Sequence, residues 1–208
     1  MSNLPLLPNV IKLPAGILKK PKANPTKRKV KNQRSQKMIE TLTPPPLKVL
    51  KITTWTATQK ELLTTTPFKK GSTLASISNL PVLTTPLTYT AQAGKDKHVD
   101  VTGTGLEYTN HSCDPNCRVV VSCGEEEDGR HSGTFTLIAL REIKDGEAPS
   151  FDYDSNEYDM ANCFECACGA GKCRTKIQGY KYLDGKGRRE IEPIVSIFLV
   201  EMTSEEKS

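Results

Sequence analysis

Hydrophobic positions from Leu47 onward come in short runs rather than at helical spacing. The runs VLKITTW, STLASI and PVLTTPLTYT are rich in β-branched residues, and Gly71, Asn79 and the Ala93-Gly94 pair separate them. Short β-branched runs bounded by turn residues are typical of strands. We therefore expect a mainly β domain with many short strands and few helices.

The second half of the chain continues this pattern. CRVVVSC and GTFTLIAL read as two strands, and the acidic, glycine-containing segment GEEEDGRHSG between them predicts a hairpin. IKDG predicts a tight turn into the strand that carries PSFDYD, where Pro149 lacks the N–H of a ladder donor and indicates an edge or a bulge. The last apolar segment, REIEPIVSIFLVEM, fits a short helix or a strand, since Pro193 suits a first helical turn while Ile, Val and Phe favour β structure.

Residues 1–46 have a different composition. They are rich in proline and lysine, end in PPP, and contain no Asp or Glu before Glu40. Such a chain cannot bury enough apolar area to fold, so we expect a disordered arm. The total net charge is +5, and the rest of the chain carries a net negative formal charge. The basic runs of the arm predict nuclear import or contact with nucleic acid, and a solvated tail without a partner is the equal alternative.

Other targeting signals are weak. Pro5, Pro8 and Pro14 interrupt the apolar opening, which argues against a secretory signal helix, and a mitochondrial transit peptide is second best. The run from Ile194 to Val200 is far shorter than the roughly 20 residues that a membrane-spanning helix needs. We expect a soluble protein without membrane contact. Its expected location is the nucleus, with the cytoplasm as the alternative.

The seven cysteines indicate reduced thiols or a metal site, because no secretory signal accompanies them. Cys166, Cys168 and Cys173 form a CxCx4C motif in a glycine-rich loop, which is typical of zinc ligands. A structural zinc site normally takes four protein ligands, so a fourth must come from elsewhere. Cys163 is a candidate substitute ligand.

Three motifs follow one another in a fixed order: NHSCDPNC from Asn110 to Cys117, FDY at Phe151-Asp152-Tyr153, and CxCx4C. Together they resemble the SET-domain family of protein-lysine methyltransferases with a post-SET zinc segment. The similarity runs from about Phe68 to about Tyr182.

The resemblance implies a SET fold, in which short twisted sheets surround a knot-like active site and a zinc-binding post-SET loop follows at the C-terminus. The expected division of the chain is a basic arm at 1–46, a SET domain at 47–160, a post-SET zinc segment at 161–183 and a tail at 184–208.

The resemblance also implies a role for each matched residue. Tyr153 would be catalytic, orienting the lysine amine and stabilising the transferring methyl. Phe151 would line the substrate channel and set how many methyl groups fit. Asn110 and His111 would bind S-adenosylmethionine. Cys113, Cys166, Cys168 and Cys173 would bind Zn²⁺. The implied partner is a protein with a target lysine, with a histone tail as the default substrate.

Two other functions are compatible with these residues. The family usually carries a GxG motif near the cofactor, and the corresponding residues here are Gln59-Lys60-Glu61. Glycine allows close approach of the backbone, so its absence favours a degenerate member that binds chromatin or protein without transferring methyl groups. The arm and the cysteines alone would also fit a zinc-stabilised nucleic-acid-binding protein, although that function leaves NHSCDPN and FDY unexplained.

Overall fold

A computed structural model describes residues 49–54, 60–125 and 129–206. The basic arm expected at 1–46 therefore lies outside the described residues. The strands are β1 (Leu50–Thr54), β2 (Lys60–Thr64), β3 (Thr73–Leu83), β4 (Thr90–Gly94), β5 (Lys97–Asp100), β6 (Asn110–His111), β7 (Cys117–Glu125), β8 (His131–Ala139), β9 (Ser150–Phe151), β10 (Phe164–Glu165) and β11 (Lys176–Ile177). The helices are α1 (Gly185–Ile191) and α2 (Ile197–Glu205), with 3-10 turns at Leu106–Tyr108, Tyr153–Ser155 and Tyr180–Tyr182.

Five strands form the main sheet, in the order β4-β5-β3-β8-β7. The predicted hairpin is present, since β7 pairs antiparallel with β8 from Cys117↔Ala139 to Glu125↔His131. Asn79 does not separate two strands as the sequence pattern predicted. Its φ of 60° lies within the continuous strand β3, where the pairing with β8 shifts between Ile77 and Leu80. The polar residue is accommodated as a β-bulge, because pairing on both sides keeps the strand intact.

The main core lies on one face of this sheet. Leu74, Ile77, Val99, Phe135 and Leu137 are all buried within it. Packing is tight at Gly133, where an added Cβ would lie 2.6 Å from a methyl carbon of Val99. A larger residue at position 133 would clash with Val99, so glycine is needed there.

Three two-stranded sheets surround the main one: β1-β2, β6-β9 and β10-β11. The β6-β9 pair is parallel, although its strands are about 40 residues apart in sequence, and it matches Asn110 to Ser150 and His111 to Phe151. This pairing brings the NHSC segment beside the FDY segment. The expectation of a mainly β fold of short sheets with a C-terminal cysteine loop is confirmed.

The C-terminal segment is helical rather than extended. Asp184 caps α1 by accepting a hydrogen bond from Gly187 N, and Pro193 lies between the two helices. Ile191 and Leu199 pack with Tyr158 and Tyr180 in a second, smaller cluster. Ser196 joins the two helices to the main domain, because its N–H donates to Ser155 O and its hydroxyl donates to Asn156 Oδ1 at 2.9 Å. None of the described helices is long and apolar enough to span a membrane.

Candidate active site and metal centre

The β6-β9 pair sets the centre of the site. Ser112 N donates to Phe151 O at 3.1 Å, which continues the pairing past His111. The chain then turns through a 3-10 helix that begins at Tyr153, and the Asp152 side chain caps it by accepting from Asp154 N. The backbone therefore places Asn110, His111, Phe151 and Tyr153 around one point.

His111 lies between Tyr153 and Cys113. Its Nδ1 accepts a hydrogen bond from Tyr153 N at 3.1 Å, and its Nε2 lies 3.3 Å from the Cys113 sulfur. Because Nδ1 accepts, the ring proton belongs on Nε2, which can donate to the sulfur. Burial, aided by the nearby Arg174 guanidinium, lowers the pKa of His111 to about 4 and keeps the ring neutral. The imidazole thus connects the candidate catalytic tyrosine to the cysteine cluster.

Tyr153 is half-buried, and its phenol already donates a hydrogen bond. Its hydroxyl donates to Thr109 O at 2.8 Å. Burial raises the pKa of Tyr153 to about 12, so the phenol stays protonated at neutral pH. Its oxygen can therefore only accept further hydrogen bonds.

Aromatic rings surround this phenol. Phe151 lies 4.7 Å from Tyr153 between ring centroids, while His111 and Phe164 lie at 5.2 and 6.0 Å in edge-to-face geometry. The ring faces carry partial negative charge and attract cations. The arrangement suits a positively charged ligand group.

A cavity of about 600 Å³ opens beside these rings, which is within the usual range for small-molecule sites. Asn110, Phe151 and Tyr153 line it, whereas His111 does not. Among the described residues that line it, three have carboxyl side chains, Glu61, Glu107 and Glu157, and one has an amine, Lys60. Both the sulfonium of S-adenosylmethionine and the ammonium of lysine are cations, so this lining fits them.

Lys60 and Glu61 occupy the place where the family usually carries GxG, and Gln59 lies outside the described residues. Lys60 Nζ donates to Tyr108 Oη at 3.3 Å and lies 5.0 Å above the Tyr108 ring. Side chains therefore cover this wall of the cavity, where glycine would leave bare backbone.

The structure brings the four predicted metal ligands together. The sulfurs of Cys113, Cys166, Cys168 and Cys173 all lie within 4.8 Å of one another, and those of Cys113 and Cys166 are 4.0 Å apart. Tetrahedral zinc with bonds of about 2.3 Å requires sulfurs about 3.8 Å apart, so the set fits the ion. Burial raises the pKa of Cys113 to about 12, so a thiolate there requires a cation beside it.

The other three cysteines, Cys117, Cys123 and Cys163, lie outside this cluster. Cys117 and Cys123 lie on β7, and the exposed Cys163 donates to Met160 O. The structure therefore gives Cys163 no place as a substitute ligand.

Arg174 is a site residue that the sequence patterns did not single out. Its guanidinium pairs with the buried carboxylates of Asp152 and Asp154, with Nε to Asp154 Oδ2 at 3.1 Å. Its own N–H donates to the Cys113 sulfur at 3.4 Å. A signal was available, because two acids in the otherwise apolar FDYD segment need a cation if they are buried. Arg174 fixes the cysteine loop against the residues on both sides of Tyr153.

Comparison with known proteins agrees with this geometry. The family model described as SET domain matches residues 23–154. A histone-lysine N-methyltransferase of Fusarium mangiferae, H3 lysine-9 specific KMT1, is 35% identical over 75 residues, covering 32% of this chain and 22% of that protein.

Two other relatives give a similar result. The H3 lysine-9 specific methyltransferase dim-5 of Neurospora crassa is 34% identical over 77 residues, covering 32% of this chain and 23% of that protein. Human histone-lysine N-methyltransferase 2B is 38% identical over 80 residues, covering 36% of this chain and 3% of that protein. The chain thus matches less than a quarter of the length of each of these relatives. The family match covers more than half of the chain, and this protein belongs to the SET-domain family.

Proposed function

We propose that this protein is a protein-lysine N-methyltransferase that uses S-adenosylmethionine. The observation that carries the proposal is the convergence of Asn110, Phe151 and Tyr153 on one cavity whose lining favours cations. The matched relatives agree with it, since all three are histone-lysine methyltransferases.

The proposed chemistry requires a neutral amine aligned with a methyl donor. S-adenosylmethionine, when bound, supplies an electrophilic methyl group on a sulfonium. Lysine has an ordinary pKa of about 10.4, so the site must favour its neutral form. Beside a bound sulfonium the neutral form of the amine is favoured, because two neighbouring cations repel each other. The Tyr153 oxygen, whose own hydrogen is committed to Thr109 O, accepts a hydrogen bond from the amine and so directs its lone pair.

The proposed roles of the remaining residues follow from their positions. Asn110 binds the cofactor at the cavity wall. His111 is set back from that wall and positions Tyr153 through the hydrogen bond from the Tyr153 N–H. Cys113, Cys166, Cys168 and Cys173 hold a zinc ion that is structural, because four thiolates leave no open coordination position for substrate.

We further propose a histone tail or another lysine-bearing protein as the substrate, and the nucleus as the location. The histone substrates named for the matched relatives and the basic arm of residues 1–46 support both proposals. We also propose the domain division expected from the sequence: a basic arm at 1–46, a SET domain at 47–160, a post-SET zinc segment at 161–183 and a tail at 184–208.

A second candidate is a binding module that does not transfer methyl groups. The side chains of Lys60 and Glu61 on the cavity wall favour it, because they occupy space where close backbone approach is usual in the family. This candidate predicts that the protein binds lysine peptides but not the cofactor.

The test is S-adenosylmethionine binding by calorimetry on zinc-replete protein, followed by methyl transfer to a histone mixture. We expect saturable binding that Asn110→Ala weakens, and turnover that falls at least about 100-fold in Tyr153→Phe. Tyr153→Phe should leave cofactor binding intact, and its thermal unfolding identifies any loss of fold. Folded wild-type protein that binds lysine peptides but no cofactor at millimolar concentration would establish the binding module instead.

A further inference from the structure

Glu157 lies four residues after Tyr153 and lines the same cavity. Glu157 N donates to Tyr153 O at 2.9 Å, which closes a turn of the i to i+4 type. Both side chains line the cavity in which we place the reacting lysine.

The Glu157 carboxyl group is held in place by β4. Its Oε1 accepts a hydrogen bond from Gln92 N at 2.9 Å. Gln92 is itself fixed, because its side-chain oxygen accepts from Tyr158 N at 2.8 Å and its carbonyl accepts from Asn156 Nδ2 at 3.1 Å. The Glu157 carboxyl group is therefore held by a backbone N–H whose own residue is fixed.

No lysine or arginine in the described part of the chain forms an ion pair with Glu157. A buried carboxylate without a cation is unfavourable. Burial raises the pKa of Glu157 to about 7, against the opposing effect of the hydrogen bond from Gln92 N. A cation that enters the cavity would supply the missing charge partner.

We propose that Glu157 is a catalytic residue that takes the proton from the substrate ammonium before methyl transfer. This inference rests on the proposed function. One N–H bond of the ammonium breaks, its electron pair stays on nitrogen, and the proton binds the Glu157 carboxylate. The neutral amine then attacks the methyl carbon of the sulfonium donor. An N–C bond forms as the S–C bond breaks, and its electron pair leaves on sulfur as a thioether. Glu157 afterwards releases its proton to solvent.

The Glu157 pKa of about 7 suits this role, because proton transfer is most efficient when the base has a pKa near the working pH. Other titratable groups also line the cavity, and each is a competing source of pH dependence: Lys60, Glu61, Tyr89, Glu107, Tyr108 and Tyr153. Glu107 provides a matched control, since its carboxylate accepts from Gly103 N and Gly105 N on a different element.

The experiment is the pH dependence of kcat/KM for methyl transfer to a histone peptide, in wild type, Glu157→Gln and Glu107→Gln. We expect the wild-type rate to rise up to about pH 7 and then level. Glutamine keeps the shape of the side chain, and its amide oxygen can still accept from Gln92 N. Glu157→Gln should lose at least about 100-fold at pH 7.5, with cofactor affinity within about twofold of wild type. Its rate should then increase about tenfold per pH unit across the range where wild type is level.

Each outcome decides between the alternatives. Glu157→Gln with a wild-type pH profile would overturn the proposal, even if its rate is lower, and so would a wild type without a rise near pH 7. If Glu107→Gln also loses the wild-type profile, the pH dependence comes from the total charge of the cavity and the proposal is overturned. If Glu157→Gln does not fold, Glu157→Ala takes its place, and a wild-type pH profile in that variant would overturn the proposal in the same way. Wild-type protein without turnover at any pH would overturn the proposed function itself.

Discussion

Phe151 and Tyr153 are neighbours on the cavity wall, with ring centroids 4.7 Å apart. The ring centroids of Phe151 and Phe135 are 6.5 Å apart in edge-to-face geometry. Phe151 has no hydroxyl group and therefore cannot bind a water molecule through one. The space beside the amine of the proposed lysine substrate stays open for added methyl groups.

We therefore expect Phe151→Tyr to shift the product from di- or trimethyllysine toward monomethyllysine, because the new hydroxyl occupies that space. Mass spectrometry of the product peptide over time measures the shift. Phe164→Tyr is the matched control, since its exposed ring lines the same cavity but has its centroid 6.0 Å from that of Tyr153. An unchanged product ratio in Phe151→Tyr would count against the role assigned to Phe151.

Single residues were predictable where a motif carried them. The segment NHSC, the triplet FDY and the CxCx4C spacing singled out Asn110, Phe151 and Tyr153 in advance, together with the cysteines. Arg174 and Glu157 belong to no such motif. Charged residues are common in any sequence, and only the fold shows that these two are half-buried against the site. Burial is a property of the packed molecule, so a local pattern could not supply it.

The cysteine loop is the element on which the site most depends. It contributes three sulfurs, while Cys113 contributes the fourth from the segment that also carries Asn110 and His111. A metal ion held there would tie the loop to one wall of the cavity.

We expect one zinc ion per chain in wild type and loss of most of that zinc in Cys168→Ser, because a serine hydroxyl is a poorer zinc ligand than a thiolate. Elemental analysis of dialysed protein measures the content. Cys163→Ser should keep the full content, since Cys163 lies outside the cluster. Equal zinc loss in the two variants would show that the cluster is not the binding site.

Arg174 fixes the same loop through charge. We expect Arg174→Gln to lower the free energy of unfolding by about 3–5 kcal/mol, because it leaves the Asp152 and Asp154 carboxylates buried without a cation. Lys172→Gln in the same loop breaks an exposed pair with Asp114 and should cost less than about 1 kcal/mol. Urea unfolding of the zinc-replete proteins measures both values. A similar, small loss in the two variants would mean that the buried pairs contribute no more than the exposed one.

Elements were predictable where local composition decided them, as in the hairpin of β7 and β8. Two features depended on distant partners instead. Asn79 stays within β3 because β8 continues the pairing beyond the bulge. The segment after Pro193 becomes a helix because Leu199 packs into a cluster with Tyr158 and Tyr180, which overrides the β preference of Ile, Val and Phe.

At the scale of the whole molecule, the fold places a buried acid where the proposed chemistry needs one, and this placement has a cost in stability. The Glu157 pKa is about 7 in the folded protein, above its ordinary value of 4.5. The folded state therefore binds more protons than the unfolded state between these two values, and its stability must fall as the pH rises through that range.

Glu157→Gln should remove this loss, because an amide does not ionise. We expect the variant and wild type to be equally stable below pH 4.5, and the variant to be more stable above pH 7 by up to about 3 kcal/mol. His111, Asp152 and Asp154 titrate equally in both proteins, so their contributions cancel in the difference. Urea unfolding from pH 4 to pH 9 measures that difference. A difference that does not change with pH would mean that the Glu157 carboxyl is solvated in the folded protein, which would remove the electrostatic basis for its proposed role as a base.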